Sequence, residues 1–168
     1  LTHPLFDTHA RVAHQLCSKA TGKAVYLSPL PSNDAFHLFL SHNWKFGQDQ
    51  MRLIKMRMPE FVGQGCRVFL DVDDLLEIGK LEQYIDKSNV ILIFLTDGYF
   101  ESPNCMRELL SAVFMRKQII ALLEPETRKG HERCGLTKAD VLESLQANAK
   151  ADSKTGKTWY EEKGLLGD

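Results

Sequence analysis

From Phe36 onward, short runs of consecutive apolar residues alternate with stretches in which apolar positions recur every three or four residues. The first pattern predicts buried strands and the second amphipathic helices, and their alternation predicts an α/β domain with a parallel sheet covered on both faces. Strands are expected at 36–41, 66–70, 89–95 and 119–123. The third is apolar at almost every position, so it is expected at the centre of the sheet, buried on both sides. A helix carrying Met51, Ile54 and Met58 is expected to stop at Pro59, and Gly63 and Gly65 then turn the chain. The acidic run Asp71, Val72, Asp73, Asp74 reads as a loop, and a short helix follows Gly79 through Leu81 and Ile85. Ser102 as N-cap with Pro103 at the first helical position opens a helix whose core side is expected to carry Leu109, Ala112 and Val113. Thr137 and Asp140 form a capping box, Asp standing for the usual Glu or Gln, ahead of Val141 and Leu145.

The two ends read differently. Residues 1–33 look like an extension or linker, with a helix at about 8–19 capped by Asp7 or Thr8, and residues 34–168 form the domain. Toward the C-terminus Trp159, Tyr160, Leu165 and Leu166 supply either a fifth strand or a last docked helix. Because the chain starts at Leu1 rather than a methionine, it is expected to be a piece of a longer protein.

Composition narrows the function by exclusion. A chain of 168 residues with 43% hydrophobic and 26% charged side chains fits one domain with a real core. A formal net charge of -1 gives no general field for nucleic acid or an anionic membrane. The longest apolar stretch, 90–95, is too short to span a bilayer. Cys17, Cys66, Cys105 and Cys134 show neither a C-x-x-C pair nor a zinc spacing, which fits a reducing, cytoplasmic setting, although a two-disulfide framework is also open. Neither G-x-G-x-x-G nor G-x-x-x-x-G-K-[ST] is present, which removes the two common ways of cradling phosphate, and G-x-S-x-G is missing too. His131 and Cys134 in GHERCG are half a metal site without a second half, so no metal is expected there. Asp71, Asp73 and Asp74 are reminiscent of a Mg²⁺ site, but no acidic pair follows the first strand, and a solvated loop face that meets partner domains is the better reading.

Three segments in order resemble the boxes of the Toll/interleukin-receptor (TIR) family and together cover 36–123. They are FLSHNWKFGQDQ at 39–50, VFLDVDDLLEIGKLEQYI at 68–85, and SNVILIFLTDGYFESPNCMREL at 88–109. The third is similar to the plant-type pattern of an apolar strand, a tyrosine, a serine, a cysteine three residues later and Glu-Leu three after that. It departs from that pattern at Asn104, where many members carry tryptophan. The resemblance implies a flavodoxin-like TIR fold of about five strands in the order 2-1-3-4-5. It also implies self-association and contact with other TIR domains through the segment that begins at Asp71 and ends at Gly79. In the NAD⁺-cleaving members it implies a catalytic glutamate, which falls on Glu108.

The order 2-1-3-4-5 has its switch point at the carboxyl ends of the first and third strands, where α/β sheets bind ligands. His42, Asn43 and Trp44 follow the first strand, and Ser102, Cys105 and Glu108 lie along one side of the helix after the third. With Asp71 these are the expected substrate-binding residues, Glu108 being the catalytic one. Trp44 either stacks on the substrate or packs over the sheet end. Cys105, beside Arg107, is taken as lining the site rather than as a nucleophile. NAD⁺ enters as substrate and no cofactor is expected. Cleavage to nicotinamide and ADP-ribose, linear or cyclic, in defence or cell-death signalling, is the expected activity. The rival is a scaffold that signals by domain contact alone, and in that case Glu108 is an acid favoured near a helix N-terminus by ~0.3 to 1 kcal/mol.

Overall fold

The computed structural model describes residues 17–74, 80–124 and 136–165. Strand β1 (Phe36–His42) lies between β2 (Val68–Leu70) and β3 (Ser88–Leu95), and β4 (Gln118–Leu123) adds to the far side of β3. All three pairings are parallel, with Leu38 opposite both Val68 and Val90, and Ile91 opposite Ile119. The order β2-β1-β3-β4 is the flavodoxin-like order as far as its fourth strand. The described residues hold four strands rather than about five. The tail, open between strand and helix in the sequence, forms α6 (Trp159–Glu162), with Thr158 and Glu161 in a reciprocal capping box.

Period-two alternation divides the core between the two faces of the sheet. On one face Phe39, Phe69, Ile91, Ile93 and Leu95 meet Ile85 of α3 (Leu81–Asp86) and Cys105, Met106 and Ala112 of α4 (Pro103–Phe114). Val141 and Leu145 of α5 (Lys138–Ala149), with Trp159 and Tyr160, close the margin of that layer. On the other face Leu38, Leu40, Val68, Leu70 and Phe94 meet Met51, Ile54, Met58 and Val62 of α1 (Gln48–Val62). Leu27 of the N-terminal segment packs at the edge of this second cluster, and the Ser28 carbonyl lies 3.1 Å from His37 Nε2. The strand β4 borders the sheet and leaves Ile120, Leu122 and Leu123 exposed.

Several local expectations need correction. Helix α1 does not stop at Pro59 but runs to Val62. Proline removes one donor, yet Met58 and Val62 are held by the core on either side of it, and Gly63 N–H closes the last turn on the Pro59 carbonyl at 3.1 Å. Strand β2 pairs only from Val68, because Cys66 N–H is taken up in a turn by the Gly63 carbonyl. Val113 is 53% exposed, and Met106 with Ala112 fills the core side of α4 instead. Cys17 to Lys19, the described end of the expected N-terminal helix, is not helical: Cys17 bridges Ala24 in antiparallel fashion around a turn at Gly22. The rest of that helix, Leu75 to Gly79, His131, Cys134 and Leu166 lie outside the described residues.

The acidic run is not a loop, and of its three carboxylates only Asp73 is exposed. Asp71–Asp74 form a helical turn, α2, whose N-terminus accommodates carboxylates. Asp74 Oδ2 accepts from Leu70 N–H at 2.7 Å and from Lys55 Nζ at 2.6 Å, and Asp73 meets Arg52 at 3.3 Å and Lys55 at 3.5 Å. These acids are folded back onto basic residues of α1, and Asp71 is buried.

Candidate functional site

The end of β1 and the start of α4 converge because both leave the sheet at its carboxyl edge, on either side of the β1/β3 crevice. After His42 the chain turns tightly, with Phe46 N–H and Gly47 N–H both bonded to the Asn43 carbonyl at 3.1 and 2.9 Å. Asn43 Nδ2 reaches across to the Gly98 carbonyl at 3.0 Å, tying this turn to the segment after β3. The turn needs glycine at position 47, since a Cβ there would sit 2.9 Å from Phe94 Cδ1 and 3.2 Å from His42 Cβ. Across the crevice, Ser102 caps α4 by accepting from Cys105 N–H, and Pro103 occupies the first helical position as the sequence predicts.

Between these segments lies a pocket of about 160 Å³ lined by His42, Asn43, Trp44, Ser102, Asn104, Cys105 and Glu108. Six of the seven expected site residues therefore meet in one cavity. The seventh, Asp71, stands behind it: its Oδ2 accepts from Trp44 Nε1 at 2.6 Å, and its Oδ1 is 3.8 Å from His42 Nδ1, too far for a hydrogen bond. Trp44 is 56% exposed, so the hydrogen bond to Asp71 holds the indole at the rim and leaves much of the ring open. Asn104, noted in the sequence only as a departure from a pattern, is part of the wall.

Glu108 is 3% exposed, and its Oε2 has no hydrogen-bond partner among the described residues. Burial pushes its carboxyl up to about 8, with the Ser41 hydroxyl opposing and Asp71 and Glu82 acting in the same direction as burial. His42 is equally enclosed, with neither ring nitrogen hydrogen-bonded among the described residues, and burial lowers its pKa against the opposing pull of Asp71. In both groups burial thus favours the uncharged form. The Cys105 thiol donates to the His42 carbonyl at 3.3 Å and is pushed up to about 12 by burial and by Glu108. At neutral pH it remains a thiol.

Two residues that sequence reasoning did not single out stand directly behind the pocket. Ser41 and Tyr99 are fully buried, and their hydroxyl oxygens are 2.7 Å apart. Strand parity gave a partial signal, because Ser41 shares a face with the core residue Phe39; nothing local connects it to a tyrosine 58 positions away. A second, larger depression of about 440 Å³ is lined by Asp97, Leu136, Asp140, Glu143, Ser144 and Ala147. Three carboxylates there are unfavourable to an anionic ligand, and none is among the buried side chains.

No protein-family model matches the chain, and no curated protein matches it. Among solved structures it is similar to the TIR domain of the Toll-related receptor TRR-2 from the lower metazoan Hydra magnipapillata. The identity is 14% and the TM-score 0.45, over 56% of this chain and 74% of that one.

Proposed function

We propose that the domain is a TIR-type NAD⁺ nucleosidase that releases nicotinamide and leaves ADP-ribose, linear or cyclised. The observation that carries this reading is Glu108: a buried carboxyl whose Oε2 has no partner among the described residues, in the wall of a pocket at the switch point whose described lining holds no lysine or arginine. An unsatisfied buried acid lowers stability and is retained most readily where a ligand completes it. A pocket of about 160 Å³ is smaller than the roughly 300–1,000 Å³ that encloses a whole ligand of drug size. It suits the reacting end of a dinucleotide, the pyridinium ring and its ribose, with the remainder outside.

The chemistry asks little of the protein. The bond from ribose C1′ to the pyridinium nitrogen breaks with its electron pair going to the ring, which leaves as neutral nicotinamide without needing a proton. The positive charge then develops on the ribose. A carboxylate at that point stabilises the oxocarbenium-like transition state and holds the ribose hydroxyls. Burial favours the protonated form of Glu108 at neutral pH, and a cationic ring entering beside it favours the charged form. Trp44 offers an aromatic face at the rim on which the ring or the adenine can stack. The oxocarbenium centre is finally captured by water, which loses a proton, or by a nitrogen of the adenine.

Self-association is part of the proposal, through the segment from Asp71 to Gly79, of which the described part, α2, is anchored on α1. A cytoplasmic setting accords with the buried thiols of Cys66 and Cys105. Among the described residues no helix is long and apolar enough to cross a membrane. The test is nicotinamide release from NAD⁺ by concentrated protein, with Glu108→Gln alongside. Wild type should be active and the variant lower by about 10²- to 10³-fold, the cost of losing one preorganised electrostatic group. An assembled wild type that releases no nicotinamide would leave the scaffold reading in its place.

A further inference from the structure

Glu108 does not stand alone. Ser41 lies on the face of β1 that carries Phe39 and packs on α4, its hydroxyl acts against burial on the Glu108 carboxyl, and its Oγ is 2.7 Å from the Tyr99 hydroxyl oxygen. Ser41 and Tyr99 are both 0% exposed, so no solvent replaces either partner. An ionised carboxylate only accepts, and a serine hydroxyl has a single proton to give. A Ser41 that gives that proton to a charged Glu108 accepts from Tyr99. The direction of the chain follows from the count of donors.

We propose that Ser41 and Tyr99 are positioning residues for Glu108: Tyr99 donates to Ser41, Ser41 donates to one carboxylate oxygen, and Oε2 is the oxygen left for the ligand. The role rests on reading Glu108 as the residue that meets the substrate. The two hydroxyls fix the plane of the carboxylate and, because hydrogen bonds in series polarise one another, favour its charged form in a low-dielectric site. The charged groups acting on Glu108 all oppose that form: Asp71 from α2 and Glu82 from α3. Cys105 on its own helix remains a thiol, and His42 across the pocket is held neutral by burial. The Ser41–Tyr99 chain is thus the stabilisation that the carboxylate has before a ligand arrives. It also joins two of the three sequence boxes, since Ser41 lies one residue before the end of the strand of the first and Tyr99 follows the strand of the third.

The experiment is a carbon-13 NMR titration of the glutamate side-chain carboxyls, with the Glu108 signal assigned by its loss in Glu108→Gln. Removing the donor in Ser41→Ala should raise the Glu108 midpoint by about one pH unit. Tyr99→Phe should raise it by less, and Ser41→Thr, which keeps a hydroxyl, should restore it. Below the midpoint one unit corresponds to about tenfold less carboxylate. Nicotinamide release by Ser41→Ala at pH 7 should accordingly lose about tenfold in kcat at unchanged KM and recover as the pH is raised. A merely structural role would not move the pH profile. Tyr99→Phe preserves the buried ring and decides the question by itself if Ser41→Ala does not fold. Midpoints equal to wild type in the folded variants would overturn the proposal. If wild type releases no nicotinamide, the NAD⁺ reading fails while the titration still decides the hydroxyl chain.

Discussion

Replacing Glu108 by glutamine should make the domain more stable, and by an amount that depends on pH. The native carboxyl titrates at about 8 against an ordinary value of 4.5. At about 1.4 kcal/mol per unit, the fold prefers the neutral form by roughly 5 kcal/mol at most, an upper bound because a little water or side-chain movement lowers it. The sign follows from linkage. The folded pKa is raised, so the contribution of the neutral acid is fully present below about 4.5 and is lost as the pH rises through about 8. Glutamine is neutral at every pH, has nearly the same shape, and can still accept from Ser41. The two proteins should therefore unfold together near pH 4.5, and the variant should gain steadily above that, levelling off beyond pH 8. For a domain of this length each kcal/mol is worth about 2–4 °C in Tm, so the gap at pH 9 should be on the order of 10 °C. Denaturant titrations and thermal scans of both proteins between pH 4.5 and 9 measure it directly. Parallel stability curves would refute the reasoning, because they would mean that Glu108 is hydrated or paired in solution. A residue whose removal stabilises the fold while abolishing turnover would have been kept for its chemistry.

Other substitutions probe the rim and the layers behind it. Trp44→Ala should raise KM for NAD⁺ several-fold while lowering stability by less than about 1 kcal/mol, since more than half of the ring is already exposed; a sharp fall in the denaturation midpoint with normal KM would make the ring structural. In the native protein a thiol reagent should label exposed Cys17 well before Cys105, whose thiol is buried and pushed up to about 12, as peptide mapping by mass spectrometry would show. Equal rates would argue against the enclosed pocket floor. Gly47→Ala should cost about 1–3 kcal/mol by forcing Phe94 or the turn aside, read as a shift in denaturant midpoint at constant m-value.

The strands were legible because their signal is local. Apolar runs of a few residues gave all four within one or two residues, and the N-cap at Ser102 and the capping box at Thr137 lie where side-chain chemistry dictates. Pro59 misled because a single lost donor is outweighed when the residues on both sides of it are packed. The acidic turn misled for a related reason: an isolated run of three aspartates reads as solvated, and only folding brings Arg52 and Lys55 beside it. The pocket wall was legible as a consequence of topology, since a β1/β3 switch point brings 42–44 and 102–108 together whatever else the chain does. Ser41 and Tyr99 were not, because their meaning lies in a contact across 58 residues and in the burial of both hydroxyls, neither of which has a local pattern. The exposure of Val113 belongs to the same class, set by where the neighbouring layer ends.

The two tryptophans divide the molecule between them. Trp44 stands half-open at the pocket rim with its N–H on Asp71, while Trp159 sits on α6 against the main core cluster, edge-on to Tyr160. One indole is in a polar, accessible setting and the other in a shielded one, so their emission should differ in wavelength and in access to a soluble quencher. With Trp159→Phe the remaining signal would follow events at the pocket, and with Trp44→Phe it would follow the docking of the C-terminal helix. The native chain thus carries two intrinsic optical reporters, one for occupancy and one for the integrity of the fold, without any attached label.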